Sequence, residues 1–113
     1  MGVTWDQVVA IASALPEVEE STSYATPSLK VKGKLFARLR TEAEGGLALK
    51  CSAEDKIALL ESADPAYYTT PHYDRSPYIL VDLAHVDRDE LVELITDAWL
   101  IAAPVRVRKA YEA

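Results

Sequence analysis

The sequence predicts a single α+β domain, with an antiparallel sheet of about four or five strands and helices packed on one face. Its 113 residues are close to the usual size of one domain and too few for two independent cores. The spacing of hydrophobic residues alternates between the helical and the strand period, in the order αβββαβα. Short links between consecutive strands favour antiparallel pairing, with amphipathic helices covering the apolar face.

Helix 1 is predicted from about Trp5 to Leu15. Thr4 and Gln7 have the spacing of a capping box, and apolar residues recur behind them at helical intervals. Pro16 ends the helix. The segment that follows is predicted to be a solvated linker, because it combines an acidic run with several turn-forming residues between 21 and 27. The acidic run consists of Glu17, Glu19 and Glu20.

Residues 28–40 alternate with a period of two, which predicts two half-buried strands joined by a tight turn near Lys32-Gly33. The inward-facing set on the second strand is predicted to be Leu35, Ala37 and Leu39. The face open to water is predicted to carry Lys34, Phe36, Arg38 and Arg40. A turn at Gly45-Gly46 then leads into a third strand, from Leu47 to Cys51.

The second half of the chain supplies two more helices and one more strand. Ser52 is placed as an N-cap, so helix 2 is expected to run to about Ser62. A fourth strand is predicted from Tyr78 to Leu83, and Asp87 marks the start of helix 3. Pro104 is expected to end or kink helix 3, which leaves a basic C-terminal segment.

Composition limits the classes of function. The formal net charge of −6 disfavours indiscriminate binding to nucleic acid or anionic membranes. A single cysteine excludes an internal disulfide framework. No secretory signal or membrane-spanning run is evident in the sequence, so a cytoplasmic monomer is the expectation.

Basic residues are concentrated in two stretches, one on the predicted hairpin and one at the C-terminus. Cations along a sheet neutralise phosphates, and an interleaved Phe36 is suited to stacking on a base. The sequence thus predicts a nucleic-acid surface, although the same alternation is also expected of a sheet face that needs only to stay soluble. The predicted surface comprises Lys30, Lys32, Lys34, Phe36, Arg38, Arg40, Arg106, Arg108 and Lys109.

A long aromatic-rich loop between Asp64 and Pro77 is the second candidate site, because loops of this length in a small domain are often functional. Rings with phenolic hydroxyls and an imidazole suit a pocket for a flat organic ligand, and they equally suit a lid over the core. The predicted ligand-binding residues are Tyr68, His72, Tyr73 and Tyr78. A third interpretation is a protein-interaction domain that uses the exposed sheet.

Catalytic and cofactor motifs give no comparable signal. His72 and His85 are 13 positions apart and lack metal-ligand spacing. Cys51 is expected to be buried packing, and no phosphate-binding glycine loop or nucleophile elbow is present. The expectation is therefore a binding protein that is not an enzyme and that uses no metal or cofactor.

Several stretches in a fixed order cover nearly the whole chain. They are Leu15-Pro16 before the acidic run, Val31 to Ala37, Leu49 to Ser52, Pro71-His72-Tyr73, and Asp97-Ala98-Trp99 leading to Ala103-Pro104. In this order and spacing they resemble the MmcQ/YjbR family of small bacterial proteins. The resemblance implies an α+β fold related to the frataxin-like sandwich, and DNA binding through a proposed double-wing arrangement. The chain departs from the family pattern at Tyr78, where members commonly carry tryptophan.

Overall fold

The computed structural model describes residues 2–23 and 25–112, and it places six antiparallel strands in one sheet. The elements are α1 (Trp5–Ser13), β1 (Val18–Ser23), β2 (Thr26–Val31), β3 (Lys34–Leu39), β4 (Leu47–Lys50), α2 (Ala53–Glu61), β5 (Tyr67–Tyr68), β6 (Tyr78–Val81), α3 (Arg88–Ala102) and α4 (Val105–Glu112). The predicted α+β class is confirmed, with more strands than the four or five expected.

The sheet has the order β1-β2-β3-β4-β6-β5, and α3 packs across its centre against β3 and β4. Trp99 of α3 is fully buried, and its indole nitrogen donates a hydrogen bond to the carbonyl of Pro16 at 2.9 Å. The hydrophobic core therefore lies between the helices and one face of the sheet. We call the opposite face of the sheet, which lies away from this core, the outer face.

The starts of the helices follow from side-chain caps that the sequence predicts. Thr4 and Gln7 form a capping box at α1, and the side chains of Ser52 and Asp87 accept hydrogen bonds from the first turns of α2 and α3. Ala103 leaves the helical conformation directly before Pro104, with φ −65° and ψ 137°. That conformation is the one that proline favours in its predecessor, so α3 ends there and α4 begins.

Glu19 and Glu20 of the acidic run belong to strand β1, so the prediction of a solvated linker is wrong there. β1 pairs with β2 from Val18↔Val31 to Ser23↔Thr26 and forms one edge of the sheet. Charged and hydroxylated side chains suit an edge strand, because they discourage pairing with another chain. The strand lacks the apolar alternation of a half-buried strand and was for that reason indistinguishable from a loop.

A β-bulge in β3 overturns part of the predicted alternation. Leu29 pairs with Ala37 whereas Lys30 pairs with Leu35, so Phe36 is an extra residue on β3. A bulge places two consecutive side chains on one face and shifts all residues before it by one position. Phe36 is therefore fully buried in the core, and the prediction that it is exposed for base stacking is wrong.

The bulge also changes the faces of two neighbouring residues. Lys34 pairs in register with the core residue Val31, and so belongs to the opposite face from Arg38. Leu35 instead lies on the outer face, although the period of two predicted it to point into the core. The predicted tight turn at Lys32-Gly33 is present. Its φ values of 49° and 79° suit a two-residue hairpin loop.

None of the helices in the described part of the chain is both long enough and apolar enough to span a lipid bilayer.

Candidate functional site

A concavity of about 510 Å³ lies on the outer face of the sheet, and we call it the tyrosine pocket. Its floor comes from adjacent strands, and one wall comes from the connection between β5 and β6. The lining residues are Leu35, Arg38, Glu44, Ala48, His72, Tyr73, Ser76 and Tyr78. Its volume falls within the range of sites that hold small organic ligands.

The register of the sheet brings the floor together. Arg38 of β3 pairs with Ala48 of β4, which pairs with Leu80 of β6, and Leu80 pairs with Tyr68 of β5. Residues directly opposite each other in a sheet share a face. The hairpin residues and the aromatic loop residues, which the sequence presented as two separate candidate sites, thus meet on one surface.

Arg38 makes hydrogen bonds both to residues of the β1–β2 hairpin and to the loop between β5 and β6. Its Nε donates to the carbonyl of Ser23 at 3.3 Å and to the hydroxyl of Thr26 at 3.1 Å. Its Nη1 donates to the phenol oxygen of Tyr73 at 3.0 Å. Arg38 is thereby fixed in orientation at the pocket wall, where its guanidinium meets the aromatic loop.

Arg40 lies behind Tyr73, with a side chain only 9% exposed. Its guanidinium carbon is 5.5 Å from the centre of the Tyr73 ring, and Nη1 is 3.5 Å from the phenol oxygen of Tyr68. Its Nε is buried without a hydrogen-bond partner among the described residues. Burial of a cation is unfavourable unless its hydrogen-bond donors have partners. The Nε donor of Arg40 is therefore available to a further acceptor.

Glu44 supplies the negative charge at the pocket, and its Oε2 is 3.7 Å from Nη2 of Arg40. Hydrogen bonds from the side chain and backbone of Thr41, together with the nearby arginines, lower the pKa of Glu44 below its ordinary value. The carboxylate is therefore ionised at neutral pH. It is also 47% exposed, and Thr41 holds its other oxygen, Oε1, so the contact of Oε2 with Arg40 is the weaker of its interactions.

The remaining aromatic walls are held by hydrogen bonds and ring contacts. The Tyr78 hydroxyl reaches across β4 and donates to the carbonyl of Leu35 at 3.3 Å. His72 and Tyr73 meet edge to face, with ring centres 5.0 Å apart. The glycine turn before β4 allows close approach: Gly46 has φ 83°, and a Cβ there would collide with the phenol oxygen of Tyr68.

Lys56 of α2 anchors the loop from beneath. Its side-chain ammonium donates to the backbone carbonyls of Tyr73, Asp74 and Ser76, and Lys56 is only 7% exposed. A buried ammonium with three acceptors satisfies all its donors. The position of the Tyr73 side chain therefore depends on a residue in a different element.

Of the other predicted nucleic-acid residues, Lys30 shares the outer face with its partner Leu35 but does not line the pocket, and the remaining ones lie elsewhere. Lys30 is half-buried beside β1, where it pairs with Glu19, and Lys32 forms an ion pair with Glu17 at 3.4 Å. Arg106 lies with Lys32 at a second concavity of about 330 Å³, near Pro16.

The basic C-terminal residues lie on α4, beyond the helix that covers the core face. Arg108 donates to the carbonyl of Leu100 in α3 at 3.2 Å, and Lys109 is exposed on α4. The arginines of β3 and those of α4 are thus on different sides of the sheet. The basic residues predicted to form one binding face are divided between separate surfaces.

Sequence reasoning missed five contributors to the site. The alternating pattern predicts Leu35 in the core, because nothing in it indicates the bulge that places Leu35 in the pocket. Ala48, Ser76 and Glu44 are common residue types in positions where no motif marks them. Lys56 carries no signal either, because a lysine on a short helix ordinarily faces water.

The side chains of the pocket offer several kinds of contact to a ligand. Within residues 2–23 and 25–112, no three His, Cys, Asp or Glu side chains cluster as a metal site. Burial raises the pKa of the Cys51 thiol, which disfavours the nucleophilic thiolate. Aromatic rings, guanidinium groups and one carboxylate instead offer stacking, hydrogen bonds and charge.

Comparisons with known proteins give a matching family model, sequence relatives and a solved structure of similar fold. A family model described as YjbR matches residues 13–101. Two uncharacterized proteins, Rv2570 of Mycobacterium tuberculosis (strain H37Rv) and Mb2600 of Mycobacterium bovis, are each 33% identical over 124 aligned residues, covering 97% of this chain and 96% of the relative. The crystal structure of Deinococcus radiodurans protein DR2400, with a domain described as DUF419, matches with a TM-score of 0.76 and 21% identity, over 96% of this chain and 88% of that one.

Proposed function

The chain belongs to the YjbR family, and within it we propose a non-enzymatic, monomeric binding protein whose tyrosine pocket takes a small, flat organic molecule. The observation that carries the proposal is the convergence of Arg38, Tyr73 and Tyr78 on one concavity of about 510 Å³. Binding pockets combine apolar and aromatic walls with a few oriented polar groups. This concavity has that composition.

The side chains of the pocket are held in place before any ligand arrives. Tyr73 accepts a hydrogen bond from Arg38, and Lys56 donates hydrogen bonds to the loop that carries Tyr73. The hydroxyl of Tyr78 donates a hydrogen bond to the backbone of β3. Ordering side chains on binding costs free energy, so walls that are already ordered favour affinity.

Binding of nucleic acid through the sheet face is the second candidate, and two observations weaken it. Phe36 is buried and has no exposed ring for a base. The cations are divided between the outer face and α4, which reduces the number of phosphates that one surface neutralises. What supports it is the pair Arg38 in β3 and Arg40 directly after β3. A salt titration with labelled single- and double-stranded oligonucleotides tests it.

Calorimetric titration with a neutral flat probe, 2-naphthol, and with its carboxylate analogue, 2-naphthoate, tests the proposed pocket. We expect saturable binding of at least one probe at one site. Ala48→Leu, which fills the pocket floor, is expected to abolish binding, whereas Ala110→Leu at the second concavity leaves it unchanged. No binding of either probe to the folded wild type at millimolar concentration overturns the proposal.

A further inference from the structure

The charges around the tyrosine pocket differ in sign from those of the whole chain. The cations that line the pocket or contact its lining residues include Arg38, Arg40, Lys50 and Lys56. Against them stand Glu44 and the exposed loop residue Asp74. A chain of net charge −6 thus places a positive region at its aromatic concavity.

Arg38 and Arg40 form the centre of that region. Arg38 belongs to β3, and Arg40 follows directly after its last residue. Both contact Tyr73, one at its hydroxyl and the other at its ring. A phenol oxygen is a weaker acceptor than an oxyanion, because hydrogen bonds to charged acceptors are the stronger class.

Glu44 occupies the place of an anion without binding there well. Its contact with Arg40 is long, at 3.7 Å, and Arg40 Nε has no partner in the described residues. The glutamate side of this pair is 47% exposed, and a long contact with a solvated carboxylate contributes little stability. A ligand oxyanion that reaches Arg40 therefore replaces a weak contact and satisfies a buried donor.

We infer that the ligand of the tyrosine pocket is an aromatic oxyanion, whose carboxylate or phosphate group pairs with Arg38 and Arg40 in place of Glu44 and whose ring packs against Tyr73 and Tyr78. The inference rests on the proposed function, because it names the ligand class for the same pocket. It adds a specific role for Glu44 as an internal competitor of the ligand.

Three probes with the same ring test the charge requirement: 2-naphthol, 2-naphthoate and 2-naphthyl phosphate. Calorimetric titration of the wild type is expected to give at least about tenfold tighter binding for an anionic probe than for 2-naphthol, the difference that one charged hydrogen bond makes. Comparison of the two anions then distinguishes a carboxylate ligand from a phosphate ligand.

Matched variants test the role of Glu44. Glu44→Gln is expected to tighten binding of the preferred anion about threefold or more and to leave 2-naphthol unchanged, whereas Glu42→Gln, at an exposed position outside the pocket, changes neither. Arg40→Gln is expected to remove the preference for the anion. Arg40 is buried, so its variant risks misfolding. The comparison of Glu44→Gln with Glu42→Gln is an independent test, because both substitutions are at exposed side chains.

The outcomes separate this inference from the proposed function. Equal affinity for 2-naphthol and both anions, or no response of anion binding to Glu44→Gln, overturns the inference and leaves the pocket proposal standing. Absence of binding for all three probes overturns both.

Discussion

The guanidinium of Arg38 donates to the phenol oxygen of Tyr73 at 3.0 Å, across 35 positions of the chain. This bond joins the central hairpin to the loop before β6. It converts two sequence features, a basic strand and an aromatic loop, into one site. The strength of the link decides how firmly the pocket wall is held.

A double-mutant cycle measures that strength. Tyr73→Phe keeps the ring over Arg40 but removes the acceptor for Arg38, and Arg38→Gln removes the charged donor. We expect a coupling free energy of about 0.5–3 kcal/mol from urea unfolding of the two single variants and the double variant. Tyr111→Phe combined with Arg38→Gln serves as the control and is expected to be additive. Additivity in the Tyr73 cycle as well contradicts the structural link.

The Lys56 anchor predicts a coupled loss of stability and pocket order. Lys56→Met keeps the buried stem but leaves the carbonyls of Tyr73, Asp74 and Ser76 without their shared donor. We expect a loss of about 1–3 kcal/mol in unfolding free energy, measured by urea denaturation. Faster amide hydrogen exchange in residues 70–76 is expected to accompany it.

Lys34→Met is the control for this experiment, since Lys34 is exposed at the start of β3. Its unfolding free energy and loop exchange are expected to match those of the wild type. Loop exchange that is unaltered in Lys56→Met argues against the anchoring role.

Phe36→Ala distinguishes a core residue from a nucleic-acid contact. Because Phe36 is fully buried at the bulge of β3, truncation leaves a cavity and is expected to cost about 3–5 kcal/mol of stability. Chemical denaturation measures this loss directly. A stability close to that of the wild type, combined with weaker binding of single-stranded DNA, restores the surface role that the sequence suggested.

Acid pH is expected to weaken one surface pair. A hydrogen bond from His85, at 2.7 Å, chiefly holds the pKa of Asp82 below its ordinary value of 3.8. A carboxyl whose pKa is lowered by folding stabilises the native state above its unfolded pKa, and this contribution is lost as pH falls through the folded value. The stability difference between wild type and Asp82→Asn is therefore expected to be constant near neutral pH and to shrink as the pH falls below the ordinary pKa of 3.8. A difference that stays constant as the pH is lowered through and below 3.8 contradicts the assignment.

Local signals were enough to predict most of the elements. Caps at Thr4, Ser52 and Asp87 and the turn at Lys32-Gly33 depend on residues within a few positions of each other, and the structure has them as predicted. The class of fold follows from the order of those elements. These features need no knowledge of distant contacts.

The incorrect or missing predictions concern features that depend on contacts between residues distant in the sequence. The bulge at Phe36 depends on how β3 fits against Leu29 of β2 and against the core, and an alternating pattern gives no warning of it. β1 is a strand because β2 offers an edge, not because its own residues favour one. The hydrogen bond from Lys56 of α2 to Tyr73 joins a helix to a loop residue 17 positions away. Hydrophobic periodicity gives no sign of such a contact.

Mapping of backbone amide shifts by NMR during titration with 2-naphthoate and 2-naphthyl phosphate tests the central claim most directly. The account predicts saturable shifts concentrated at Leu35, Arg38, Ala48, Tyr73 and Tyr78, the residues of β3, β4 and the loop that line one pocket. Shifts confined to the exposed apolar residues Ile57 and Leu60 of α2, or no saturable shifts with either probe, would contradict it.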